Sequence, residues 1–361
     1  MGKQNSRLPT LSPATSTGSV SRAASTRQAT SSSAMASVAR VEGLVDMWYI
    51  RDDGSVQGES WDGKVWKAYQ LVPPGSAYPT SGIAALSRVP NQMEVWFVSP
   101  KGELIDCWWV EDRGWVFGVR AGPGSATVNS RIAAVSRYND TMELWYVTPK
   151  GGVVDWYYYE GQGWKAWQII PDDTVYAGAG LAAVSRAKNT MELFVVRKDG
   201  SVHNHYFYDG SGWGDQEIAA TGYADPVSPI AVVSRWPNTM ELWFIGWDGS
   251  VNDYFWYEGD HWKGFQLAPP RSASPAGGIA AVTRRYGLLD VWWITPDGSV
   301  RGCAWIEGSK KGWQCYPLAA ASTASKVSGL NALKRDSRTM DVFYIDQDHA
   351  VVTNSYHVYW Y

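Results

Sequence analysis

The stretch IAAVSRYNDTMELWYVTPKGGVVDWYYYEGQGWKAWQII, residues 132–170, contains one complete structural unit. It reads as four short runs rich in β-branched and aromatic residues, broken by YND, by the turn PKGG and by EGQG. Runs of this kind divided by turn residues predict four antiparallel strands joined by hairpins, here termed A to D. The unit recurs seven times between Met35 and Tyr361, with blades starting near Met35, Ile83, Ile132, Leu181, Ile230, Ile279 and Leu330. Four-stranded sheets at an even pitch predict an all-β chain folded as a seven-bladed β-propeller over residues 35–361. Paired small residues on strand A, such as Ala84 and Ala85 or Ala133 and Ala134, suit the crowded centre of the ring.

Blade seven reaches Tyr361 with only three strands. An open sheet edge needs cover. In complete repeats the strand-D Trp precedes the next strand A by 17 residues, for example Trp115 and Ile132, and the same count back from Met35 lands on Gly18. Residues from about Gly18 to Ala24 are therefore expected to close the ring. The rest of residues 1–34, rich in Ser and Thr and free of aromatic rings, reads as a flexible tail.

The chain holds 22 Trp and 20 Tyr against 8 Phe, and its formal charge is −3. A slightly acidic chain lacks the basic field that neutralises phosphates, so nucleic acid is not the expected partner. No apolar run is long enough to span a bilayer and no secretory leader is visible, which predicts a soluble, cytoplasmic chain. Cys107, Cys303 and Cys315 are odd in number and lack metal-ligand spacing, so free thiols and no metal are expected. The start MGKQNS fits N-myristoylation at Gly2 and resembles the amino termini of myristoylated neuronal calcium sensors, which would give reversible membrane attachment.

Every repeat carries an Arg followed six residues later by an acid: Arg40 and Asp46, Arg88 and Glu94, Arg137 and Glu143, Arg186 and Glu192, Arg235 and Glu241, Arg284 and Asp290, Arg335 and Asp341. A ring stands two residues further on, including Trp96, Trp145, Trp243 and Trp292. In a tight A–B hairpin Arg88 would lie opposite Glu94, and Leu86 opposite Trp96. A guanidinium, a carboxylate and a ring together bind sugars, the charged groups taking hydroxyls and the ring stacking on the apolar sugar face. The other role for these residues is to tie strand A to strand B and to pack between sheets. Blades three, four and five, with TMEL intact, are the preferred sites. Six strand-D Trp residues, Trp66, Trp115, Trp164, Trp213, Trp262 and Trp313, are expected to clamp the outer part of each blade.

The motifs IAAVSR (132–137), TMELWYVTPKG (141–151) and DGSVNDYFWYEGDHW (248–262) resemble those of the PLL-like β-propeller lectins and, more distantly, the six-bladed fungal fucose-specific lectins. The resemblance spans roughly residues 35–361. It implies glycan partners, fucose or a related sugar, held between blades by an Arg, an acid and aromatic rings. No cofactor, nucleophile or catalytic-carboxylate pattern marks an enzyme, and His203 and His205 form the sole close His pair. The rival reading is a propeller scaffold for protein partners.

Overall fold

The structure, a computed structural model, describes residues 19–22, 29–285 and 287–357. It forms seven four-stranded antiparallel sheets, and blade three runs A Ile132–Val135, B Thr141–Val147, C Val153–Tyr159 and D Gly163–Ile170. All seven A strands begin at the expected residues. Each contacts the next around the centre, and Met35–Val41 meets Leu330–Lys334 to complete the circle. Short A strands of Ile and Ala let seven chains converge there. Strand B of blade three is buried at every position because neighbouring blades cover both of its faces, and its one charged residue, Glu143, is buried with the rest. Strand D, at the perimeter, is exposed from Lys165 to Gln168 and buried only at its Ile170 end.

Two local devices hold successive blades together. Before strand A, Gly82 donates its N–H to Ser130 O at 2.7 Å, and Gly329 donates to Ser33 O at 3.1 Å, joining blade seven to blade one. A Cβ on either glycine would stand 2.6 Å from the accepting carbonyl, so the approach requires glycine. Further out, each strand-D Trp meets the strand-B ring of the preceding blade edge-on: Trp115 on Trp48, Trp164 on Trp96, Trp213 on Trp145, Trp262 on Phe194, Trp313 on Trp243, and Trp66 on Phe343. Within their own blades Trp66 meets Trp61, Trp115 meets Trp109, Trp164 meets Tyr158 and Trp213 meets Phe207, so the expected clamp is present and extends between blades, and the Trp66–Phe343 pair spans the ring closure.

Ser19–Arg22 pairs antiparallel with Val351–His357 as the fourth strand of blade seven, with Val20 opposite Asn354. The described part of the expected closing segment is thus in place, and Gly18, Ala23 and Ala24 lie outside the described residues. Residues 29–34, read as tail, belong to the propeller instead: Ala29 and Ser33 are fully buried, and the Ser33 hydroxyl accepts the Ile50 N–H at 2.8 Å. Gly2 and the remainder of the expected flexible segment before Ser19 lie outside the described residues.

The thiol expectation is corrected. Cys303 on strand C and Cys315 on strand D of blade six are bonded to each other, as directly paired residues with Cα atoms 3.9 Å apart. Counting cysteines missed this because the pairing follows from strand register. Cys107 occupies the Cys303 position in blade two, stands opposite Phe117 and is a free, buried thiol.

Candidate functional site

The A–B register differs from the tight hairpin read from sequence. Glu94 stands opposite Leu86 and Trp96 opposite Ala84, so Arg88 lies beyond the paired strand, in the loop. From that loop the arginine side chain returns to the acid. Six of the seven repeated pairs meet: Arg40–Asp46 at 3.4 Å, Arg137–Glu143 at 3.5 Å, Arg186–Glu192 at 3.0 Å, Arg235–Glu241 at 3.7 Å, and Arg284–Asp290 and Arg335–Asp341 in direct contact. Blade two departs, because Arg88 reaches into blade three, donating to Asn139 O at 2.5 Å and lying 3.4 Å from Glu160.

Trp96, Trp145, Trp243 and Trp292 are fully buried. Indoles packed this way cannot offer a face to a ligand, which corrects their assignment as stacking rings. What fills the space beside them is set by a residue that the sequence reading passed over, the one opposite each on strand C.

In blade three the register places Asp155 opposite Trp145 and Trp167 opposite Asp155, while Tyr157 lies between Glu143 and Lys165. All face blade four. Apart from Trp145, these residues line, together with Tyr159 and with Met191, Phe207 and Trp213 from blade four, a cleft of about 390 Å³ in the seam between the two blades. The Arg137 guanidinium sits 4.7 Å from the Phe207 ring centre and donates to the Tyr159 hydroxyl. Trp167 Nε1 donates to Asp155 Oδ2 at 3.1 Å, whereas Asp155 Oδ1 and both Glu143 oxygens are buried without a hydrogen-bond donor among the described residues. Burial raises Glu143 to about 7 despite Arg137, and burial together with the Glu143 charge lifts Asp155 well above the carboxylate range.

The seam between blades five and six repeats this composition. Asp253 stands opposite Trp243 and Phe265 opposite Asp253, while Phe255 lies between Glu241 and Lys263. Arg235 stacks 4.3 Å from the centre of Trp305, the counterpart of Phe207, and donates to the Tyr257 hydroxyl. Both Asp253 oxygens are buried with no donor in hydrogen-bonding geometry. The Trp243 indole N–H still eases its charged form, although burial and then Glu241 raise it well above the ordinary range.

Protein groups fill more of the remaining seams, although Asp46, Asp106, Glu192 and Asn204 each keep one buried oxygen without a hydrogen bond among the described residues. In blade one the strand-C position is Gly58, where a Cβ would stand 2.3 Å from Tyr69, and Tyr69 accepts the Trp48 N–H at 3.0 Å. Blade six uses Gly302 and Tyr316 likewise, with the Tyr316 hydroxyl donating to Asp290 at 3.4 Å. Blade two keeps Asp106 but pairs it with Arg120, whose guanidinium lies 4.5 Å over Trp164. Blade four has Asn204 there, and Arg186 bonds both Glu192 and, at 2.7 Å, Asn238 of blade five. In blade seven Arg335 and Ser355 both bond Asp341. Of the expected site residues, Arg137, Glu143, Arg235 and Glu241 border a strand-C Asp that has, among the described residues, at least one buried oxygen without a hydrogen bond and no Arg in contact, while Arg186 and Glu192 border Asn204 instead. A repeating D-x-[YF]-x-Y on strand C, DWYYY at 155–159 and DYFWY at 253–257, was the signal that could have located both.

His203 and His205 face blade three beside this cleft. His203 Nδ1 is 3.0 Å from Asp215, and burial lowers His205 to about 4, keeping it neutral. Among the described residues no group of three or more His, Cys, Asp or Glu is placed to hold a metal ion.

No protein-family model matches the chain, and no curated protein matches it in sequence. Solved structures do. A lectin from Burkholderia pseudomallei, BP39L, is 19% identical with a TM-score of 0.85, covering 92% of this chain and 97% of that one. AofleA from Arthrobotrys oligospora is 18% identical with a TM-score of 0.62, over 85% and 91% of the two chains. The Aleuria aurantia lectin, a six-bladed β-propeller with its own mode of fucose recognition, is 17% identical with a TM-score of 0.59, over 82% and 98%. A six-bladed ring covered almost whole by about six-sevenths of this chain leaves one blade over. By structure, this chain shares the propeller fold of these lectins, as its repeat motifs led us to expect.

Proposed function

We propose that the protein is a carbohydrate-binding lectin whose sugar sites are the clefts between blades three and four and between blades five and six. The observation that carries this reading is the set of buried oxygens on Glu143, Asp155 and Asp253 that lack a hydrogen bond among the described residues, those of Glu143 and Asp155 lining a cleft walled by aromatic rings. A buried acceptor without a donor is costly. A saccharide supplies hydroxyl donors on one edge and an apolar C–H face for the rings, so it satisfies both kinds of wall at once. The lectin folds that this chain resembles, one of them named for fucose recognition, support the same ligand class and make fucose the first sugar to try. Two weak sites on one rigid ring would gain by avidity on a clustered glycan. Membrane tethering through Gly2 is a separate proposal, and one acyl chain would make it reversible.

A glycan array with the wild type and a Glu143→Gln, Glu241→Gln double variant tests the reading. Binding to one sugar family, reduced at least tenfold in the variant, supports it. Absence of all binding in folded protein sinks it. The rival scaffold reading then takes precedence, favoured by exposed Tyr176, Tyr223 and Trp247 gathered on blades three to five at the rim opposite the arginine loops.

A further inference from the structure

The two seams have the same framework but opposite hydrogen-bonding demands. In the seam between blades three and four, protein donors are at hand: Trp167 Nε1 satisfies one Asp155 oxygen, Tyr157 adds a phenol, and Lys165, bonded only to the neutral Gln162 at 3.0 Å, lines the cleft. The seam between blades five and six has lost each of these. Phe265 replaces the indole, Phe255 replaces the phenol, and Lys263 is drawn 2.6 Å from Asp260 on the C–D turn. Both carboxyls remain. Arg235 stands 3.7 Å from Glu241, which leaves Asp253 with neither oxygen in a hydrogen bond and only the Trp243 indole N–H and the more distant Arg235 to ease its charge.

We propose that the cleft between blades five and six takes a saccharide bearing a protonated amine, the cleft between blades three and four takes a neutral one, and the strand-D residue at 265 or 167 sets the difference. An ammonium brings three N–H donors to Asp253 and a positive charge that draws its carboxyl, raised by burial, into the ionised form. The Phe255 and Phe265 rings, 6.4 Å apart between centres, favour a cation over a neutral group at short range, while Tyr257 and Trp305 already hold the Arg235 guanidinium. In the other cleft, Trp167 already fills one Asp155 oxygen and Lys165 repels a second cation. This inference rests on the lectin reading.

The test compares glucosamine with N-acetylglucosamine, which share a ring and differ in charge, by titration calorimetry in a Glu143→Gln background that silences the other cleft. The expected result is at least a tenfold preference for glucosamine. Phe265→Trp, which restores an N–H to Asp253, should erase the preference. Phe265→Leu, which adds no donor, should retain the ratio while weakening both sugars. Equal affinities for the two sugars, or a preference that survives Phe265→Trp, would overturn the inference while leaving the lectin reading intact. Failure of every saccharide on the array and in the titration would overturn both.

Discussion

Replacing Glu143 by Gln should make the protein more stable at pH 8 while weakening its sugar site. Glu143 is fully buried, and burial moves it from an ordinary 4.5 to about 7 against the pull of Arg137. Because the folded value lies above the unfolded one, its contribution is complete below pH 4.5 and is lost as pH rises through about 7. At about 1.4 kcal/mol per pH step, ionising it in the fold costs roughly 3 kcal/mol, and we count Glu143 and Asp155 as one coupled pair. Glutamine keeps the shape and removes the charge, and Asp155, freed from that neighbour, can ionise against Arg137. Urea unfolding at pH 5, 6, 7 and 8 should show wild-type stability falling as pH rises. Glu59, Glu192 and Glu241, also raised by burial to about 7, add to the slope. The variant should match the wild type at pH 5 and exceed it by about 1–3 kcal/mol at pH 8. Wild-type stability that is flat or rising over this range, or a variant that is destabilised at pH 8, would refute the reasoning.

Two further outcomes follow from the seams and from blade six. Trp66→Ala removes the ring that joins blade one to Phe343 of blade seven, at 6.0 Å between centres. It should cost about 3 kcal/mol in chemical denaturation, with Trp66→Phe recovering most of that, and a loss below about 1 kcal/mol would show that the closure does not depend on this contact. Reduction of Cys303–Cys315, a link across 12 residues, should lower unfolding free energy by about 3 kcal/mol. Alkylation of folded, unreduced protein followed by mass spectrometry should find no modified Cys303 or Cys315, and labelling of both would disprove the bond.

The repeat, its pitch and its turn residues were sufficient for the blade count, for all seven strand-A starts and for the closing strand at Ser19–Arg22, because strand order and hairpin turns are encoded locally. The repeated Arg and acid were visible for the same reason, and in six blades they meet. What sequence spacing did not reveal was which seams stay open. That depends on the register across strands B, C and D and on what the next blade presents: Gly58 is only a gap in the text, yet it admits Tyr69, which fills the space that Asp155 leaves open in blade three. The same dependence hid the Cys303–Cys315 bond and turned Trp96, Trp145, Trp243 and Trp292 from expected binding rings into buried seams. A period fixes which residues recur. Only packing of one sheet against its neighbour decides whether a recurring residue is buried in a closed seam or borders an open cleft, since that outcome is a property of two surfaces rather than of one strand.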